Sequence, residues 1–423
     1  MGKHTELIDG GLRSLVGTRK FYKKVLLVAV PIMIQNGITN FVSLLDNIMV
    51  GQVGTEQMSG VAIANQLVFI FNLCIFGAVA GAGILSAQFY GSGNAEGVRD
   101  TFRFKLLFGV ILSAIFAVIF LTVGEPLIQQ FIHQGEGIGD LEATRSYGKA
   151  YLEVIVIGIL PFALTQCYSG TLRETGETVI PMIGGIIAVC VNLVFNYILI
   201  FGKLGAPELG CVGAAIATVL SRFVELAIVA GWTHKHVARN PFIRGALRSF
   251  KIPRSLLKQI IAIGLPLFIN ELMWSFGITF MTQCYSVRGL EVVAAFNIAN
   301  TISNVFNVVF LSLGNAVGII IGQMLGAGRL EEAKREDKQL IAFSVFCCFL
   351  TGAMLILLSP LFPRMYNTEE IVKELATQLI FITGCCQPLY GFVHGTYFTL
   401  RAGGTKSEAT KYGQSASTYR ERT

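Results

Sequence analysis

The amino-acid sequence predicts an all-α polytopic membrane protein with two pseudo-symmetric helical lobes. Hydrophobic residues make up 53% of the 423 residues and charged residues only 14%, whereas soluble domains carry about 25% charge. Ten apolar segments are long enough to cross a bilayer, where only helices or closed barrels satisfy the backbone polar groups. The segments are residues 25–50, 59–89, 104–124, 148–170, 179–202, 211–233, 256–284, 292–325, 339–360 and 375–400.

An internal repeat predicts the two lobes. Residues 31–93 match residues 266–328 without a gap, and 15 of the 63 aligned positions are identical. Gln88 pairs with Gln323 in this match, and Gly91 pairs with Gly326. Because unrelated apolar stretches do not share several polar residues and glycines in one frame, the match indicates a duplication, which is typical of transporters.

A second match extends the repeat. The segment Thr171-Leu172-Arg173 aligns with Thr399-Leu400-Arg401 at an offset of 228 residues. Two more apolar segments follow this motif in the first lobe, whereas the polar segment 403–423 follows it in the second. We therefore expect six helices plus four, from a six-plus-six plan that is C-terminally shortened, and a disordered tail.

The distribution of positive charge predicts the topology. Lys and Arg residues number 26 in the alternate loops that include both termini, and 6 in the other loops. This asymmetry follows the positive-inside rule, so both termini of this multi-pass protein are predicted to be cytoplasmic, in the inner or plasma membrane. The net charge of +7 therefore indicates no nucleic-acid partner. The predicted parts are a cytoplasmic N-terminal segment 1–24, an N-lobe 25–233, a basic cytoplasmic linker 234–255 and a C-lobe 256–402.

The sequence carries no motif of an enzyme or of a structural metal site. It contains no nucleophile elbow, HExxH, Walker or CxxC pattern, and its nine cysteines lie within or beside the apolar segments. The chain is therefore predicted not to be an enzyme and to use no cofactor.

The chain resembles the multidrug and toxic compound extrusion (MATE) family over about residues 20–405. The motifs that carry the resemblance are AVPIMIQNGITNFVSLLDNIMVGQVG, ILSAQFYGSGN, TLRETGET, PELGCVGAAIATVLSR and GLPLFINELMWS. The resemblance implies a V-shaped bundle of two lobes around a central cavity. It also implies an antiporter coupled to H+ or Na+ that exports small organic, often cationic, drugs by alternating access.

Two other functions are compatible with the sequence. A lipid-linked oligosaccharide flippase belongs to the same wider group, but its cavity would need several basic side chains, and only Arg222 is predicted to lie inside a helix. An inactive truncated remnant or membrane scaffold is the other alternative, because two helices are expected to be missing. The predicted partners are organic substrates and membrane lipids, and the predicted state is a monomer.

Asp46 is the first candidate for binding the coupling ion. It lies about 15 residues after Pro31 with no Lys or Arg one turn away. An ionisable group inside a membrane costs roughly 2.5–3.5 kcal/mol on insertion scales, so its presence requires a reason. It matches the helix-one Asp of the family that the chain resembles. The alternative is a water-exposed acid near the helix end, because Gly51 follows.

Glu271, Asn192 and Asn196 complete the predicted coupling group. Glu271 matches a helix-seven carboxylate of one branch of the family, and its alternative role is a structural acid. Asn192 and Asn196 are four residues apart and share one helical face. Asn196 stands where the archaeal-type branch typically has an Asp, so its amide would ligate Na+ or hydrogen-bond Asp46, or serve only as a packing contact. Bound Na+ is expected at Asp46 or Glu271.

Further candidates lie along the other predicted helices. Arg222 and Glu225 are three residues apart and are expected to neutralise each other. His394 is expected to be a satisfied buried imidazole. An aromatic cavity with amide groups accepts many flat cations, and the candidates for lining it are Gln35, Asn36, Asn65, Asn270, Trp274, Asn300 and Tyr390.

Overall fold

The computed structural model describes residues 15–131, 140–286, 288, 290–366 and 368–403. Within these ranges the chain forms ten long α-helices, which confirms the predicted all-helical fold. Residues 1–14 of the predicted N-terminal segment and residues 404–423 of the predicted tail lie outside the described residues. The helices are α1 (Arg19–Gly51), α2 (Thr55–Gly91), α3 (Ala95–Phe131), α4 (Leu141–Glu174), α5 (Val179–Ile200), α6 (Gly210–Lys235), α7 (Arg254–Ser286), α8 (Leu290–Gly326), α9 (Leu330–Leu358) and α10 (Glu370–Gly403).

Nine of these ten described helices contain a stretch that is long and apolar enough to cross a membrane. The exception is α10, which has 34 residues but whose hydropathy is lowered by Gln378, Gln387 and Pro388. The tenth crossing therefore remains a prediction. One face of α3 is exposed and apolar, as expected for contact with lipid rather than water; its side chains are Leu107, Val110, Ile111, Ile115, Val118 and Leu121.

The described chain divides into two compact units. The amino-terminal unit comprises Ile38–Ser86 and Ala95–Phe268. The carboxy-terminal unit comprises the described residues up to Gly37, the segment Ala87–Asn94 and the described residues from Ile269 onward. The first part of α1 thus belongs to the carboxy-terminal unit, and the first part of α7 belongs to the amino-terminal unit. The lobe limits predicted from the sequence, 25–233 and 256–402, remain predictions.

Aromatic and small residues build the core of the amino-terminal unit. Phe71 of α2 is fully buried, and its ring centroid lies 5.3 Å from that of Phe116 in α3 and 6.2 Å from that of Phe162 in α4. On α6, Ala214 and Ala215 belong to the same cluster. Because these side chains are small, α6 can approach its neighbours closely, and this approach positions the polar residues described below.

In the carboxy-terminal unit, α8 and the end of α2 cross at four residues that the repeat relates in pairs. A methyl group on Gly91 would overlap the backbone carbonyl oxygen of Gln323. Reciprocally, a methyl group on Gly326 would overlap the carbonyl oxygen of Gln88. Only glycine permits such close contact between backbones. This crossing explains in physical terms why both copies of the repeat contain a Gly at this position.

The basic linker 234–255 is folded against α3. Its short 3-10 turn, Pro241–Ile243, buries the side chains of Phe242 and Ile243. Arg103 of α3 donates hydrogen bonds to the carbonyl oxygens of Gly245, at 2.8 Å, and Ala246, at 3.0 Å. The segment is therefore a fixed part of the amino-terminal unit and not a freely solvated connection.

Candidate functional site

Asp46 and two asparagines of α5 form a polar cluster inside the amino-terminal unit. Asp46 lies in the last two turns of α1, and the Asn196 side-chain nitrogen donates a hydrogen bond of 2.5 Å to its Oδ1. The same nitrogen lies 3.1 Å from Oδ1 of Asn192, one turn earlier on α5. The spacing of four residues places both amides on one helical face, as the sequence predicts. The structure therefore brings together three of the four predicted coupling residues.

Thr218 of α6 extends this cluster. The Asn192 side-chain nitrogen lies 3.3 Å from its Oγ1. Asn192 and Asn196 are only 5% and 1% exposed, whereas Asp46 is partly exposed. Within the described part of the chain, the buried Oδ1 of Asn196 has no hydrogen-bond donor. An acceptor without a donor, beside a carboxylate, is an environment that favours a proton or a cation.

The side-chain amide of Asn192 can lie in two orientations that have different chemical consequences. With its nitrogen toward Asp46, it donates to the carboxylate oxygens at 3.0 Å and 3.2 Å. With its oxygen there, three oxygen atoms converge, and their mutual repulsion requires a proton or a cation between them. The two orientations therefore suit an ionised and a neutralised Asp46, respectively.

A small cavity lies among α2, α4 and α6 of the same unit. It has a volume of about 50 Å³ and is lined by Asn65, Tyr151, Thr218 and Arg222, among others. The Tyr151 hydroxyl lies 3.3 Å from Oδ1 of Asn65. Because Thr218 lines this cavity and also contacts Asn192, the cavity adjoins the Asp46 cluster.

Arg222 does not have the contact that the sequence predicts. The guanidinium carbon lies 4.1 Å from the centroid of the Phe162 ring, in a cation–π arrangement. In the described part of the chain it forms no direct ion pair with Glu225, but the two charges interact electrostatically over a longer distance, in line with the expected mutual neutralisation. The three-residue spacing permits the pair, but packing against α4 turns the guanidinium toward the aromatic ring.

Glu271 lies in the carboxy-terminal unit with a set of partners of its own. The Tyr397 hydroxyl donates a hydrogen bond of 3.3 Å to Oε1 of Glu271, and an Arg401 nitrogen lies 3.7 Å from the same oxygen. Asn270 donates to the Tyr397 hydroxyl at 3.2 Å. The sequence shows no basic residue near Glu271 on its own helix, but the fold supplies Arg401 from α10. Glu271 is therefore a paired carboxylate, unlike Asp46.

Six of the seven predicted cavity residues lie in the carboxy-terminal unit, and Asn65 lies in the amino-terminal unit. Asn36 donates to the hydroxyl of Ser312 at 3.3 Å. The Tyr390 ring lies 5.8 Å from that of Phe310, which also packs against His394 at 4.4 Å between centroids. Gln35 is half-buried, whereas three of the candidates have exposed side chains: Asn270, Trp274 and Asn300.

Sequence reasoning missed Thr218, Asn72, Tyr151 and Arg401 as members of these clusters. Thr218 lies one turn before Arg222 on α6, so the helical spacing alone relates it to the one basic residue predicted inside a helix. Asn72 is a repeat position, paired with Asn307. Tyr151 and Arg401 carry no local signal, because their partners are distant in the sequence.

Comparison with known proteins identifies the family. The family model MatE matches residues 31–198 and 266–409. A probable multidrug resistance protein NorM of Thermotoga maritima is 27% identical over 86% of this chain and 76% of the relative. The multidrug resistance protein MdtK of Edwardsiella ictaluri is 26% identical over 86% of this chain and 78% of the relative.

Solved structures show the same fold. An outward-facing multidrug resistance MATE family transporter of the MOP superfamily has a TM-score of 0.82 and 22% identity, covering 94% of this chain and 86% of that chain. A MOP superfamily transporter from Pyrococcus furiosus has a TM-score of 0.76 and 22% identity, covering 93% of this chain and 86% of that chain. These proteins are transporters and not enzymes, in agreement with the sequence analysis. The chain therefore belongs to the MatE family of multi-pass membrane transporters.

Proposed function

We propose that this transporter exports small organic, often cationic, compounds in exchange for H+ or Na+, and that Asp46 binds the coupling ion. The observation that carries the proposal is the cluster of Asp46, Asn196, Asn192 and Thr218. The relatives named multidrug resistance proteins support a drug-like substrate class. We further propose a monomer in the inner or plasma membrane, with both termini cytoplasmic.

The chemistry of the cluster suits a hard monovalent cation or a proton. Its acceptors are carboxylate, amide and hydroxyl oxygens, which are the ligands that hard cations prefer. Asp46 has no ion-pair partner within the described part of the chain, so its charge is available to a cation. Burial disfavours an isolated charge, and binding a proton or Na+ relieves that cost.

Exchange follows from competition for one negative charge. A cationic substrate near Asp46 neutralises the carboxylate as the coupling ion does, so the two should bind in alternation. Entry of the ion from outside would displace the substrate, and arrival of substrate from the cytoplasm would displace the ion. Alternating access would then expose the site to one side of the membrane at a time.

Glu271 is the second candidate for binding the coupling ion, but the structural support for it is weaker than for Asp46. Arg401 lies 3.7 Å from its carboxylate, so part of its charge is already compensated. Removing an acid from such a pair also leaves a partly buried Arg without its partner. We therefore expect Glu271→Gln to reduce transport mainly through local structure, and Asp46→Asn to remove coupling itself.

The test measures substrate-triggered release of protons or Na+ from proteoliposomes that contain the purified protein. Asp46→Asn keeps the shape of the side chain and removes its charge, so coupled release should be lost while the protein remains folded. Glu142→Gln is the matched control, because Glu142 is an exposed acid of the same unit with 86% side-chain exposure. Wild-type coupling in Asp46→Asn would exclude Asp46 from the mechanism.

A further inference from the structure

The cavity beside the Asp46 cluster is lined by one guanidinium, two amide and two hydroxyl groups among apolar side chains. Its polar and aromatic lining is contributed by α2, α4 and α6, and its volume of about 50 Å³ corresponds to one or two water molecules. Amide, hydroxyl and guanidinium groups all supply N–H or O–H donors toward it. The residues that matter here are Asn65, Asn72, Tyr151, Phe162, Thr218 and Arg222.

Arg222 has hydrogen-bond donors that no protein acceptor uses in the described part of the chain. Its guanidinium is half-buried and packs on Phe162, at 4.1 Å from the ring centroid. A charged group inside a membrane protein is costly unless a partner of opposite charge compensates it. Guanidinium groups pair best with carboxylates and other anions. Glu225 on the same helix compensates part of this charge through space, and the unused N–H donors of Arg222 can pair with an anion in the cavity that it lines.

The internal repeat shows how the counterpart of Asn72 is hydrogen-bonded in the carboxy-terminal unit. Asn307 in α8 is the repeat partner of Asn72, and its Oδ1 accepts a hydrogen bond of 3.1 Å from Gln387 of α10. The residue twelve positions before Thr399 in α10 is Gln387. The residue twelve positions before Thr171, the match of Thr399 in α4, is Ile159. Ile159 cannot bond to Asn72, and both residues line the cavity. Asn72 accordingly has no side-chain partner in the described part of the chain.

We propose that this cavity binds a small monovalent anion, either an inorganic ion such as chloride or the carboxylate group of an organic compound. Arg222 supplies the positive charge, and the amides of Asn65 and Asn72 donate hydrogen bonds. The volume of about 50 Å³ suits a small anion. The proposal does not depend on which ion Asp46 binds. It means that the protein binds a negatively charged ligand in addition to cations.

The test measures thermal unfolding of the full-length protein in detergent while chloride replaces the bulky anion morpholinoethanesulfonate at constant sodium concentration and pH. Chloride should raise the unfolding temperature saturably, because a ligand that binds only the folded state stabilises it. A parallel titration with acetate distinguishes the two sources of negative charge. A response to chloride alone indicates an inorganic ion, and a response to acetate indicates a carboxylate.

Three variants decide the location of the site. Arg222→Met keeps the length and the contact with Phe162 but removes the charge, so the anion response should disappear. Asn72→Leu should lower the affinity for the anion at least several-fold while leaving Arg222 in place. This variant tests the site even if Arg222→Met does not fold. Arg248→Met removes a charge from the exposed part of the linker and should keep the wild-type response.

Two outcomes would overturn the proposal. One is a wild-type protein whose unfolding temperature does not depend on chloride or acetate, since the cavity would then hold only water. The other is a saturable response that persists unchanged in both Arg222→Met and Asn72→Leu, since the anion would then bind elsewhere. Neither outcome bears on Asp46, whose role is tested by coupled release from proteoliposomes.

Discussion

The side-chain nitrogen of Lys105 in α3 lies 2.5 Å from Oε2 of Glu174 at the end of α4. The Lys105 side chain is fully buried, and its nitrogen also lies 3.2 Å from the hydroxyl of Thr171. The buried ammonium group thus has a carboxylate, whose side chain is 11% exposed, and a hydroxyl as partners. Thr171 and Glu174 belong to the motif TLRETGET, so this contact gives that motif a structural role in the amino-terminal unit.

Breaking this pair from one side should be strongly destabilising. Lys105→Met removes the ammonium group beside the largely buried Glu174 carboxylate, and we expect the free energy of unfolding to fall by about 3 kcal/mol. The double variant Lys105→Met with Glu174→Gln should recover part of this loss. Denaturant unfolding in detergent measures the change. The control is Lys334→Met, which removes an exposed ion pair with Glu331 and should have no measurable effect. An unchanged stability in Lys105→Met would show that the pair contributes nothing.

The crossing of α2 and α8 predicts that Gly→Ala substitutions lower the free energy of unfolding at the crossing and raise it elsewhere. Gly91→Ala and Gly326→Ala each place a methyl group on a backbone carbonyl, so each should lower the free energy of unfolding by about 1–3 kcal/mol. Gly231→Ala in α6 meets nothing within 4 Å and should raise it by about 0.4–1 kcal/mol, because alanine restricts the unfolded chain. Equal effects at all three positions, measured by denaturant unfolding, would contradict the close approach.

The anion site and Asp46 should influence each other. Thr218 lines the cavity together with Arg222 and also contacts Asn192 of the Asp46 cluster, so the two charges lie in adjoining parts of one unit. Asp46→Asn removes a negative charge that repels the anion, and we expect the affinity for chloride or acetate to rise roughly fivefold. The measurement is the anion concentration at half-maximal thermal stabilisation. A lower affinity in Asp46→Asn would contradict this coupling, and Glu142→Gln serves as the distant control.

Replacing Asn196 by Asp should make the protein depend more strongly on a bound cation. The Asn196 side-chain nitrogen lies 2.5 Å from the Asp46 carboxylate, so the variant places two carboxylates in contact. Two such groups resist simultaneous ionisation. The unfolding temperature of Asn196→Asp should therefore rise more steeply than that of the wild type when Na+ is added or the pH is lowered. Identical Na+ and pH dependence in the two proteins would argue against this interpretation.

Hydropathy predicted the number and order of the helices but not their ends. α1 begins at Arg19, six residues before the predicted segment, and α9 begins at Leu330, nine residues before it. Both extensions contain charged residues. Helices continue into the polar region beyond the membrane, whereas an apolar segment marks only the part that crosses lipid. Lys105 shows the same limitation, because it lies at the edge of an apolar segment in the sequence and is fully buried in the fold.

The local part of the site was predictable, and the part that depends on packing was not. A spacing of four residues was enough to place Asn192 and Asn196 on one face, and their type suggested a bond to Asp46. The pairing of Glu271 with Arg401 joins residues that are 130 positions apart, so nothing local to either residue indicates it. The cavity at Arg222 likewise results from a missing partner on α4, which only the packed structure reveals.

The reciprocal contact of Gly91 with Gln323 and of Gly326 with Gln88 has an evolutionary consequence. After a duplication, the sequences of the two copies of a segment ordinarily diverge independently, since each copy is constrained only by the residues that it contacts. Here each copy is part of the other's surroundings, because the glycine of one accommodates the backbone of its counterpart. A substitution at either glycine disturbs a contact that involves both copies, so this stretch should accumulate substitutions more slowly than the remainder of the repeat. Asn72 is under no such constraint from a glycine contact, since its counterpart Asn307 accepts a hydrogen bond from Gln387 instead.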